Sequence, residues 1–285
     1  MREILNLITT KDTMMTKVVL ITGASSGMGE MTARFLHENG YTVYAGTRDK
    51  NLATPTISGV NNIYLDVTDT NSMEAAVSAI MAKESKIDVL VNNAGYGLVS
   101  SAEEATDEEI FKQFDVNVFG LMKMTRTVLP YMREAKSGII INISSFLGKM
   151  GLPLLSHYNA SKYAVEGFVD SIRFEMTPYN VRVHSIQSGL FGTNFVKKGL
   201  VANSNTTSES SPYKDLVAHF VPIVAKAINE GPNPQPIADA VKAIIEDENS
   251  PIATPVGNEA TSFVPLRKEL SDEDFEAKIK ETFGL

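Results

Sequence analysis

Short runs of β-branched and other apolar residues alternate along this chain with longer stretches in which apolar residues recur every three or four positions. Met73, Val77 and Ile80, for example, fall on one face of a helix. Strands that are apolar throughout and separated by helices are typical of a parallel sheet covered on both faces. The pattern therefore predicts a doubly wound α/β fold with a mostly parallel, seven-stranded sheet. Its strands are expected at residues 17–22, 41–46, 62–66, 87–92, 138–144, 181–186 and 251–255.

The domain organisation is simple until about residue 190. We expect one domain over residues 17–285, preceded by a flexible arm at residues 1–16, where Met14 and Met15 leave open an upstream start codon. An irregular region follows at about 190–236, in which two segments rich in polar residues, Gly and Pro bracket an apolar one. It predicts either a surface excursion with one packed helix or a mobile lid over a substrate site, and the sequence favours neither strongly.

Composition and charge argue against several classes of function. The 285 residues carry 26 Lys and Arg against 34 Asp and Glu, a net charge of −8, without the basic run that would favour nucleic acid or anionic membranes as partners. There is no cysteine, which excludes disulfides and cysteine nucleophiles, and the four histidines lack metal-ligand spacing, so we expect no metal. No apolar run reaches the roughly 18 residues of a membrane span, and no secretory signal is recognisable, so a cytoplasmic protein is expected.

A glycine-rich segment, T-G-A-S-S-G-M-G, links the first predicted strand to the first predicted helix. Gly23, Gly27 and Gly29 would let the backbone approach a pyrophosphate closely, and the helix N-terminus behind them offers unpaired N–H groups. Three glycines near a turn are often only a turn, but their position directly after the first strand favours a dinucleotide site. The spacing, G-x-x-x-G-x-G, differs from the G-x-G-x-x-G pattern.

Four further motifs follow this loop along the chain. They are N-N-A-G at residues 92–95, Asn117 in D-V-N-V-F-G, Ser145 in N-I-S-S-F-L-G, and Y-N-A-S-K at residues 158–162. In this order and at these intervals they resemble the short-chain dehydrogenase/reductase family over roughly residues 17–190. The resemblance implies a Rossmann-type domain, oxidoreduction of a carbonyl or alcohol with a nicotinamide cofactor, and a homodimer or homotetramer formed through helices at 107–134 and 156–177.

Tyr158 and Lys162 are four residues apart, which places them on the same side of a helix. Carbonyl reduction needs a proton donor, and a Tyr can serve if its pKa moves from about 10 toward neutrality. The Lys162 ammonium and an oxidised nicotinamide would both favour the phenolate, although without the other motifs the two residues would be an ordinary surface pair. Ser145, at the end of the fifth predicted strand, could hydrogen-bond the substrate oxygen. The resemblance further implies that Lys162 reaches the ribose hydroxyls and that Asn117 holds a water in a proton relay.

The resemblance also implies which residues contact the cofactor. Asp66 would accept a hydrogen bond from an adenine amino group, its alternative being a helix cap, and the N-N-A-G turn would be mainly structural. Where this chain has Ser188 the family usually has Pro, and losing the Pro ring predicts a looser turn and altered binding strength, with the reaction type unchanged. The implied cofactor-binding residues are Gly23, Ser25, Ser26, Gly27, Met28, Gly29, Asp66, Val67, Asn93, Ala94, Gly95, Tyr158, Lys162, Gly189 and Thr193.

The choice between the two nicotinamide cofactors should depend on the end of the second strand, where an acidic side chain would accept from the ribose hydroxyls of NAD. Thr47 stands at this position, and Arg48 after it offers a guanidinium suited to a 2′-phosphate. NADP(H) is therefore favoured. NAD(H) is the alternative, because Asp49 would compete for Arg48 and the glycine loop carries no basic residue.

Most residues expected around the substrate are apolar. G-L-P-L-L before the catalytic Tyr resembles members that act on steroids and other bulky lipophilic alcohols, so we hypothesise a hydrophobic ketone or secondary alcohol as the small-molecule substrate. The alternative is that these side chains are packing or a subunit interface. For the function as a whole, the alternatives are an acyl-carrier-protein ketoreductase and a non-catalytic dinucleotide-sensing protein. The expected substrate-lining residues are Tyr96, Phe146, Leu147, Leu190 and Phe191.

Overall fold

Strands and helices alternate through residues 16–52, 57–193 and 195–285, the part of the chain that the structure, a computed structural model, describes. Apart from Thr16, the proposed N-terminal arm lies outside the described residues. The strands within them are β1 (Val18–Ile21), β2 (Thr42–Thr47), β3 (Asn61–Tyr64), β4 (Val89–Asn92), β5 (Gly97–Val99), β6 (Gly138–Ser145), β7 (Val181–Ser188), β8 (Leu200–Ala202) and β9 (Ala253–Val256).

All the strands except β5 and β8 form one parallel sheet in the order β3-β2-β1-β4-β6-β7-β9. The prediction of a doubly wound α/β fold with a seven-stranded sheet is therefore confirmed. The helices within the described residues are α1 (Gly27–Glu38), α2 (Thr70–Glu84), α3 (Asp107–Phe114), α4 (Leu121–Ala135), α5 (Ser156–Met176), α6 (Lys214–Asn229), α7 (Gln235–Glu246), α8 (Asn258–Glu269) and α9 (Asp272–Phe283).

The sheet is buried on both faces because helices cover each of them. In β1, Val18 and Leu20 point into an apolar cluster with α2, α4 and α5. Val19 and Ile21, one residue out of phase, point into a second cluster with α1 and α7. Successive side chains of a strand face opposite sides, so a strand between two helical layers has to be apolar at every position. This requirement explains why the strand runs were recognisable in the sequence.

The chain changes direction across the sheet at β1, which lies between β2 on one side and β4 on the other. In open α/β sheets, ligands bind in the crevice at the carboxyl ends of the strands, at such a switch point. The glycine loop follows β1, the N-N-A-G motif begins at the end of β4, and Ser145 ends β6. The fold therefore brings three motifs that are far apart in the sequence to one edge of the sheet.

The irregular region after β7 is ordered in its described residues. It contains one π-helical turn (Phe195–Gly199), then β8, which pairs with β5 outside the main sheet, and then α6. Phe220 of α6 is buried and its ring lies 5.9 Å from that of Phe283 in α9, centroid to centroid. This is the packed arrangement that one of the two interpretations expected, and the function of the segment as a lid stays a prediction.

A second π-helical turn, Asp115–Gly120, separates α3 from α4 and was not expected from the sequence. It interrupts the long helical run predicted over 107–134, and it carries Asn117. Single π turns inside helices occur frequently at functional sites. In the described part of the chain, no helix is both long and apolar enough to cross a membrane.

Candidate active site

The glycine loop between β1 and α1 brings backbone atoms very close together. Gly23 and Gly27 have φ of +64° and +60°, in the left-handed region that favours glycine. A Cβ at Gly23 would lie 2.7 Å from Cα of Ala94, and one at Gly29 would lie 2.6 Å from the Gly23 carbonyl oxygen. α1 begins after Ser26, whose side chain makes no capping hydrogen bond. The loop therefore combines close backbone approach with an open helix N-terminus, which is what a pyrophosphate needs.

The N-N-A-G turn after β4 holds the loop in place. Asn93 Nδ2 donates to the carbonyl oxygens of Thr22 and Gly23, at 3.0 and 2.9 Å. The Thr22 hydroxyl accepts in return from the backbone amides of Asn93 and Ala94, each at 3.0 Å. These four hydrogen bonds fasten two strand ends to each other, so the turn has the structural role that its sequence suggested.

The end of β2 presents a basic side chain next to a buried polar one. Thr47 is buried, and its hydroxyl accepts from the backbone amide of Asp49 at 3.1 Å. Arg48 is exposed, and within the described residues no ion pair joins it to Asp49 or to any other acid. Asp49 Oδ1 accepts from the backbone amide of Asn51 at 2.9 Å, and the competition of Asp49 for Arg48 stays a prediction. An exposed guanidinium here is available to an anionic group at the adenosine end of a dinucleotide.

Asp66, after β3, is held by a local turn. Its Oδ1 accepts from the backbone amide and the hydroxyl of Thr68, at 2.9 and 2.8 Å. The N-cap of α2 is Asp69, whose side chain accepts from the amide of Asn71. The alternative that Asp66 caps this helix is therefore wrong, and its contact with adenine stays a prediction, as does that of the neighbouring Val67.

Three of the four predicted catalytic residues meet where α5 crosses the end of β6. A hydrogen bond joins the side chains of Ser145 and Tyr158, and the Ser145 hydroxyl also accepts from the amide of Leu147 at 3.1 Å. Lys162 is buried. Its Nζ donates to the carbonyl oxygen of Ile143 at 2.9 Å and lies 5.8 Å from the centroid of the Tyr158 ring.

Asn117 joins this group from the π turn between α3 and α4. Its Nδ2 donates to the Tyr96 carbonyl oxygen at 2.9 Å and to the Ser161 hydroxyl at 3.1 Å, and its Oδ1 accepts from the Tyr96 amide at 3.0 Å. A Cβ built at Gly95 would lie 3.2 Å from Asn117 Oδ1 and 3.9 Å from Lys162 Nζ. The Asn117 side-chain amide and the Lys162 ammonium therefore border the same small space beside Gly95.

Burial governs the protonation of Tyr158 in the protein alone. Burial raises the pKa of Tyr158 to about 12, and the hydrogen bond with Ser145 only partly opposes this. Burial also lowers the pKa of Lys162 to about 8, against the opposite effect of the Glu166 carboxylate. In the protein alone, desolvation of the phenolate is the largest effect on the pKa of Tyr158. That Lys162 and an oxidised nicotinamide together bring this pKa toward neutrality stays a prediction. Tyr158 is a protonated phenol at neutral pH, the form that can donate a proton.

The end of β7, where Ser188 stands in place of the family's usual Pro, is firmly held. β7 continues through Ser188, which pairs in register with β6 and with Val256 of β9. The next amide, that of Gly189, donates to the Val256 carbonyl oxygen at 2.7 Å. Neighbouring strands therefore fix this backbone as far as Gly189. The effect of the missing Pro on the rest of the turn and on binding strength stays a prediction. Thr193 lies beyond it against the glycine loop, 3.4 Å from where a Cβ on Gly27 would be.

The residues proposed to line the substrate site have different surroundings. Phe146 and Leu147 are only 1% and 4% exposed and belong to an apolar cluster that α6, α8 and α9 also form. Tyr96 and Leu190 are partly exposed. Phe191 is buried in the separate cluster between the sheet and α7. The contact of these residues with substrate stays a prediction. Phe191 differs most from what we expected, because its ring packs in the core between the sheet and α7.

Two hydroxyl groups that hold the site together were missed. Thr22 anchors the glycine loop as described above, and Ser161 donates to the Tyr158 carbonyl oxygen at 2.7 Å while accepting from Asn117. A signal for Ser161 exists in the sequence, since it lies three residues after Tyr158 on the same helical face. Thr22 offers no comparable signal, because its partners come from a strand 70 residues later.

Comparison with known proteins agrees with this geometry. The family model described as short chain dehydrogenase matches residues 17–202. A 3-ketodihydrosphingosine reductase of Bacteroides thetaiotaomicron is 38% identical over 244 residues, which cover 86% of this chain and 89% of that protein. The crystal structure of a short-chain dehydrogenase from Streptomyces avermitilis superposes with a TM-score of 0.78 at 31% identity, covering 94% of this chain and 97% of that one.

Two further solved structures contain cofactor. A Burkholderia cenocepacia short chain dehydrogenase in complex with NADP has a TM-score of 0.72 at 25% identity, covering 92% of this chain and 97% of that one. A 3-ketoacyl-(acyl-carrier-protein) reductase from Brucella melitensis complexed with NADH has a TM-score of 0.68 at 25% identity, covering 84% and 96%. Fold, motifs and sequence similarity lead to one assignment: the chain is an oxidoreductase that belongs to the short-chain dehydrogenase family.

Proposed function

We propose that this protein reduces a ketone carried by a long apolar substrate, using NADPH as the reductant and Tyr158 as the proton donor. The observation that carries the proposal is the position of Tyr158. Its hydroxyl interacts with the side chain of Ser145, and its ring packs against the apolar cluster formed by the segment after β6 together with α6, α8 and α9. A carbonyl held at the two hydroxyls would therefore have an apolar surface next to it for the rest of the molecule.

The residues present fit a nicotinamide dinucleotide. The glycine loop leaves no room for side chains at Gly23 and Gly29, which suits the close approach of a pyrophosphate. Lys162 borders the same space as Asn117 and could bind ribose hydroxyls, and a bound reduced nicotinamide would supply the hydride. NADP(H) is favoured over NAD(H) because Thr47 is not acidic and Arg48 is exposed at the end of β2.

Proton delivery rests on the protein's own groups. The pKa of Tyr158, raised to about 12 by burial, keeps the phenol protonated throughout the neutral range. As charge develops on the carbonyl oxygen, the phenol transfers its proton and Ser145 stabilises the same oxygen by hydrogen bonding. Lys162, next to the Tyr158 ring, then stabilises the phenolate that remains. Asn117 would hold a water in the space beside Gly95, and this water would pass the proton between the site and solvent.

The apolar character of the substrate has two independent supports. The cluster beside Tyr158 is built from large side chains, among them Met150, Leu152 and Phe263, with Leu190 and Val217 at its margin. The relative from Bacteroides thetaiotaomicron is named for a ketone on a long-chain base. We propose a long-chain 3-ketone of this type as the substrate class. An acyl-carrier-protein ketoreductase is the second candidate, supported by the similarity to the reductase from Brucella melitensis.

A panel of ketones tests the substrate class. NADPH oxidation would be measured with 3-ketodihydrosphingosine, shorter-chain analogues, a 3-ketoacyl thioester on acyl carrier protein, and a small polar ketone. We expect kcat/KM to rise with chain length by up to about fourfold per buried methylene, since each contributes about 0.8 kcal/mol. Turnover of the small polar ketone alone would contradict the proposal, and preference for the carrier-protein thioester would establish the second candidate.

We also propose that two copies associate through α3, α4 and α5. Phe111 and Phe174 are 70% and 68% exposed on α3 and α5. A cavity of about 440 Å³ is lined in part by Phe119, Leu129 and Phe168. Exposed aromatic groups of this size are unusual on a monomer. Light scattering of the wild type and of Phe174→Asp measures the association.

We also propose a cytoplasmic location. The sequence contains no cysteine, which is compatible with a reducing compartment.

A further inference from the structure

A buried carboxylate lies behind the catalytic residues and is not used by the mechanism above. Glu166 of α5 is only 4% exposed. It follows Lys162 by four residues and Tyr158 by eight, so the three side chains lie along one side of the helix. Ionised side chains are rarely buried unless they are paired, because removing a charge from water costs several kcal/mol. The position of Glu166 therefore calls for an explanation.

Three side chains converge on one oxygen of this carboxylate. Glu166 Oε2 accepts from Gln187 Nε2 at 2.9 Å and from the Ser185 hydroxyl at 3.4 Å, both on β7. Lys149, from the turn after β6, pairs with the same oxygen at 3.2 Å, and its side chain is 30% exposed. Charge-assisted bonds of this kind favour the ionised form. Lys149 is thus a partly solvated counter-ion of the buried Glu166 carboxylate.

Glu166 follows Lys162 by one turn of α5, and Gly148 packs against both residues. A Cβ built on Gly148 would lie 3.0 Å from Glu166 Cγ, 3.0 Å from the Lys162 carbonyl oxygen and 3.1 Å from the Ser144 hydroxyl. The Lys162 ammonium itself is bonded to a neutral carbonyl oxygen, that of Ile143. No carboxylate of the described residues lies within ion-pairing distance of Lys162, so its charge depends on groups one layer farther away.

Few titratable groups surround Lys162 on the elements packed against it. α5 contributes Tyr158 and Glu166, and the turn after β6 contributes Lys149. Asp115, at the start of the π turn with Asn117, is paired with Lys123 at 3.2 Å. β7 contributes neutral Ser and Gln side chains at this level, and Glu259 of α8 lies beyond them, bonded to the amide of Leu190 at 2.9 Å. Burial lowers the pKa of Lys162 and the Glu166 carboxylate raises it. Glu166 is therefore the nearest negative charge that opposes the loss of the proton.

We propose that Glu166 is a positioning residue that keeps the Lys162 ammonium charged beneath Tyr158, and that Lys149 moderates this effect by neutralising part of the Glu166 charge. The pair would set the pH up to which Lys162 can hold the cofactor ribose and stabilise the phenolate. This inference rests on the proposed function in one respect, the role of Lys162. A purely structural role, in which Glu166 only fastens α5 to β7, is the competing explanation.

The test measures the titration of Lys162 directly, in protein without cofactor or substrate. Protein containing ¹⁵N-labelled lysine would be titrated by NMR, with the Lys162 signal assigned by its absence in Lys162→Met. We expect a midpoint near 8 in the wild type. In Glu166→Gln the midpoint should fall by about one pH unit or more, although the amide can still accept from Gln187. In Lys149→Met it should rise, because Glu166 then acts on Lys162 without its counter-ion.

A purely structural role of Glu166 would not shift the Lys162 midpoint in opposite directions in these two variants. Asp170→Asn is the matched control, since Asp170 lies one turn farther along α5 and is exposed, and it should leave the midpoint unchanged. A Glu166→Gln midpoint equal to that of the wild type would overturn the inference, as would shifts of both variants in the same direction. If Glu166→Gln does not fold, Lys149→Met decides alone, and an unchanged or lower midpoint overturns the proposal. A ketone panel without turnover would leave this titration result standing and would refute only the proposed function.

Discussion

Replacing Arg48 by Ala tests the assignment of the cofactor. Arg48 is exposed at the end of β2, so its guanidinium is accessible to a 2′-phosphate. A charge-assisted hydrogen bond contributes roughly 1.5–3 kcal/mol, and exposure to solvent favours the lower part of this range. A loss of about 1.5–2 kcal/mol corresponds to a Kd for NADPH that is about 10- to 30-fold higher. NADH lacks the 2′-phosphate, and its Kd should change by less than about twofold.

The two dissociation constants would be measured by fluorescence titration of the cofactor, at low and at high salt. The effect on NADPH should shrink at about 0.5 M salt, because exposed charges are screened there. Lys50→Ala removes an equal charge two residues away, where the ammonium lies 5.5 Å from the Tyr64 ring centroid, and it should alter the NADPH Kd by less than about threefold. Equal losses for NADPH and NADH in Arg48→Ala would refute the reasoning, and so would a wild type that binds NADH more tightly.

Three further changes test the loop, the irregular region and the buried lysine. Gly23→Ala combines a φ of +64° with a Cβ 2.7 Å from Ala94 Cα, so it should lower the free energy of unfolding, measured in urea, by about 2 kcal/mol or more. Its control is Gly40→Ala, where φ is +86° and nothing lies within 4 Å of the new Cβ; this change should cost only about 1 kcal/mol. Asn203→Ala removes a buried side chain that donates to Glu109 at 2.7 Å and accepts from the Thr206 amide at 2.8 Å; hydrogen exchange of β8 should accelerate at least about tenfold, while exposed Asn205→Ala leaves it unchanged. The pKa of Lys162 is lowered from 10.5 to about 8 in the folded protein, so between these two pH values the unfolded chain binds the proton and the folded protein does not. The free energy of unfolding of the wild type, relative to Lys162→Met, should therefore rise by about 3 kcal/mol between pH 8 and 10.5. A constant difference would contradict the lowered pKa of Lys162.

Much of the fold was predictable because most of its seven central strands are short, rich in apolar residues and separated by helices. The short strands β5 and β8 were not, because they have three residues each and their pairing joins Gly97 to Leu200 across about a third of the chain. Polar residues such as Asn203 and Thr206, which fix this pairing, are buried, although in the sequence they belong to a segment that resembles an exposed loop. Local composition does not reveal which polar side chains a distant strand will cover.

The catalytic residues were recognisable because their motifs resemble those of the family, and the spacing of Tyr158 and Lys162 along one helix is local information. The environment that sets their charge was not, because it is assembled from β6, β7 and the following turn. The sequence correctly placed Tyr158 next to Lys162, yet it did not indicate that burial raises the pKa of Tyr158 to about 12. It also gave no sign of the ion pair between Lys149 and Glu166, since each residue alone resembles an ordinary surface charge. Burial is a property of the assembled structure, and the direction of both pKa shifts follows from it.

The central claim is that the Tyr158 hydroxyl donates the proton in a reaction that the bound NADPH drives. It is tested most directly by comparing the wild type with Tyr158→Phe, measuring NADPH oxidation with 3-ketodihydrosphingosine and the Kd for NADPH in the same preparations. The account predicts that kcat falls by about 10²- to 10⁴-fold, the contribution of a positioned acid, while the NADPH Kd stays within about threefold. A Phe variant that reduces the ketone at a rate near that of the wild type, with NADPH bound equally well, would contradict it.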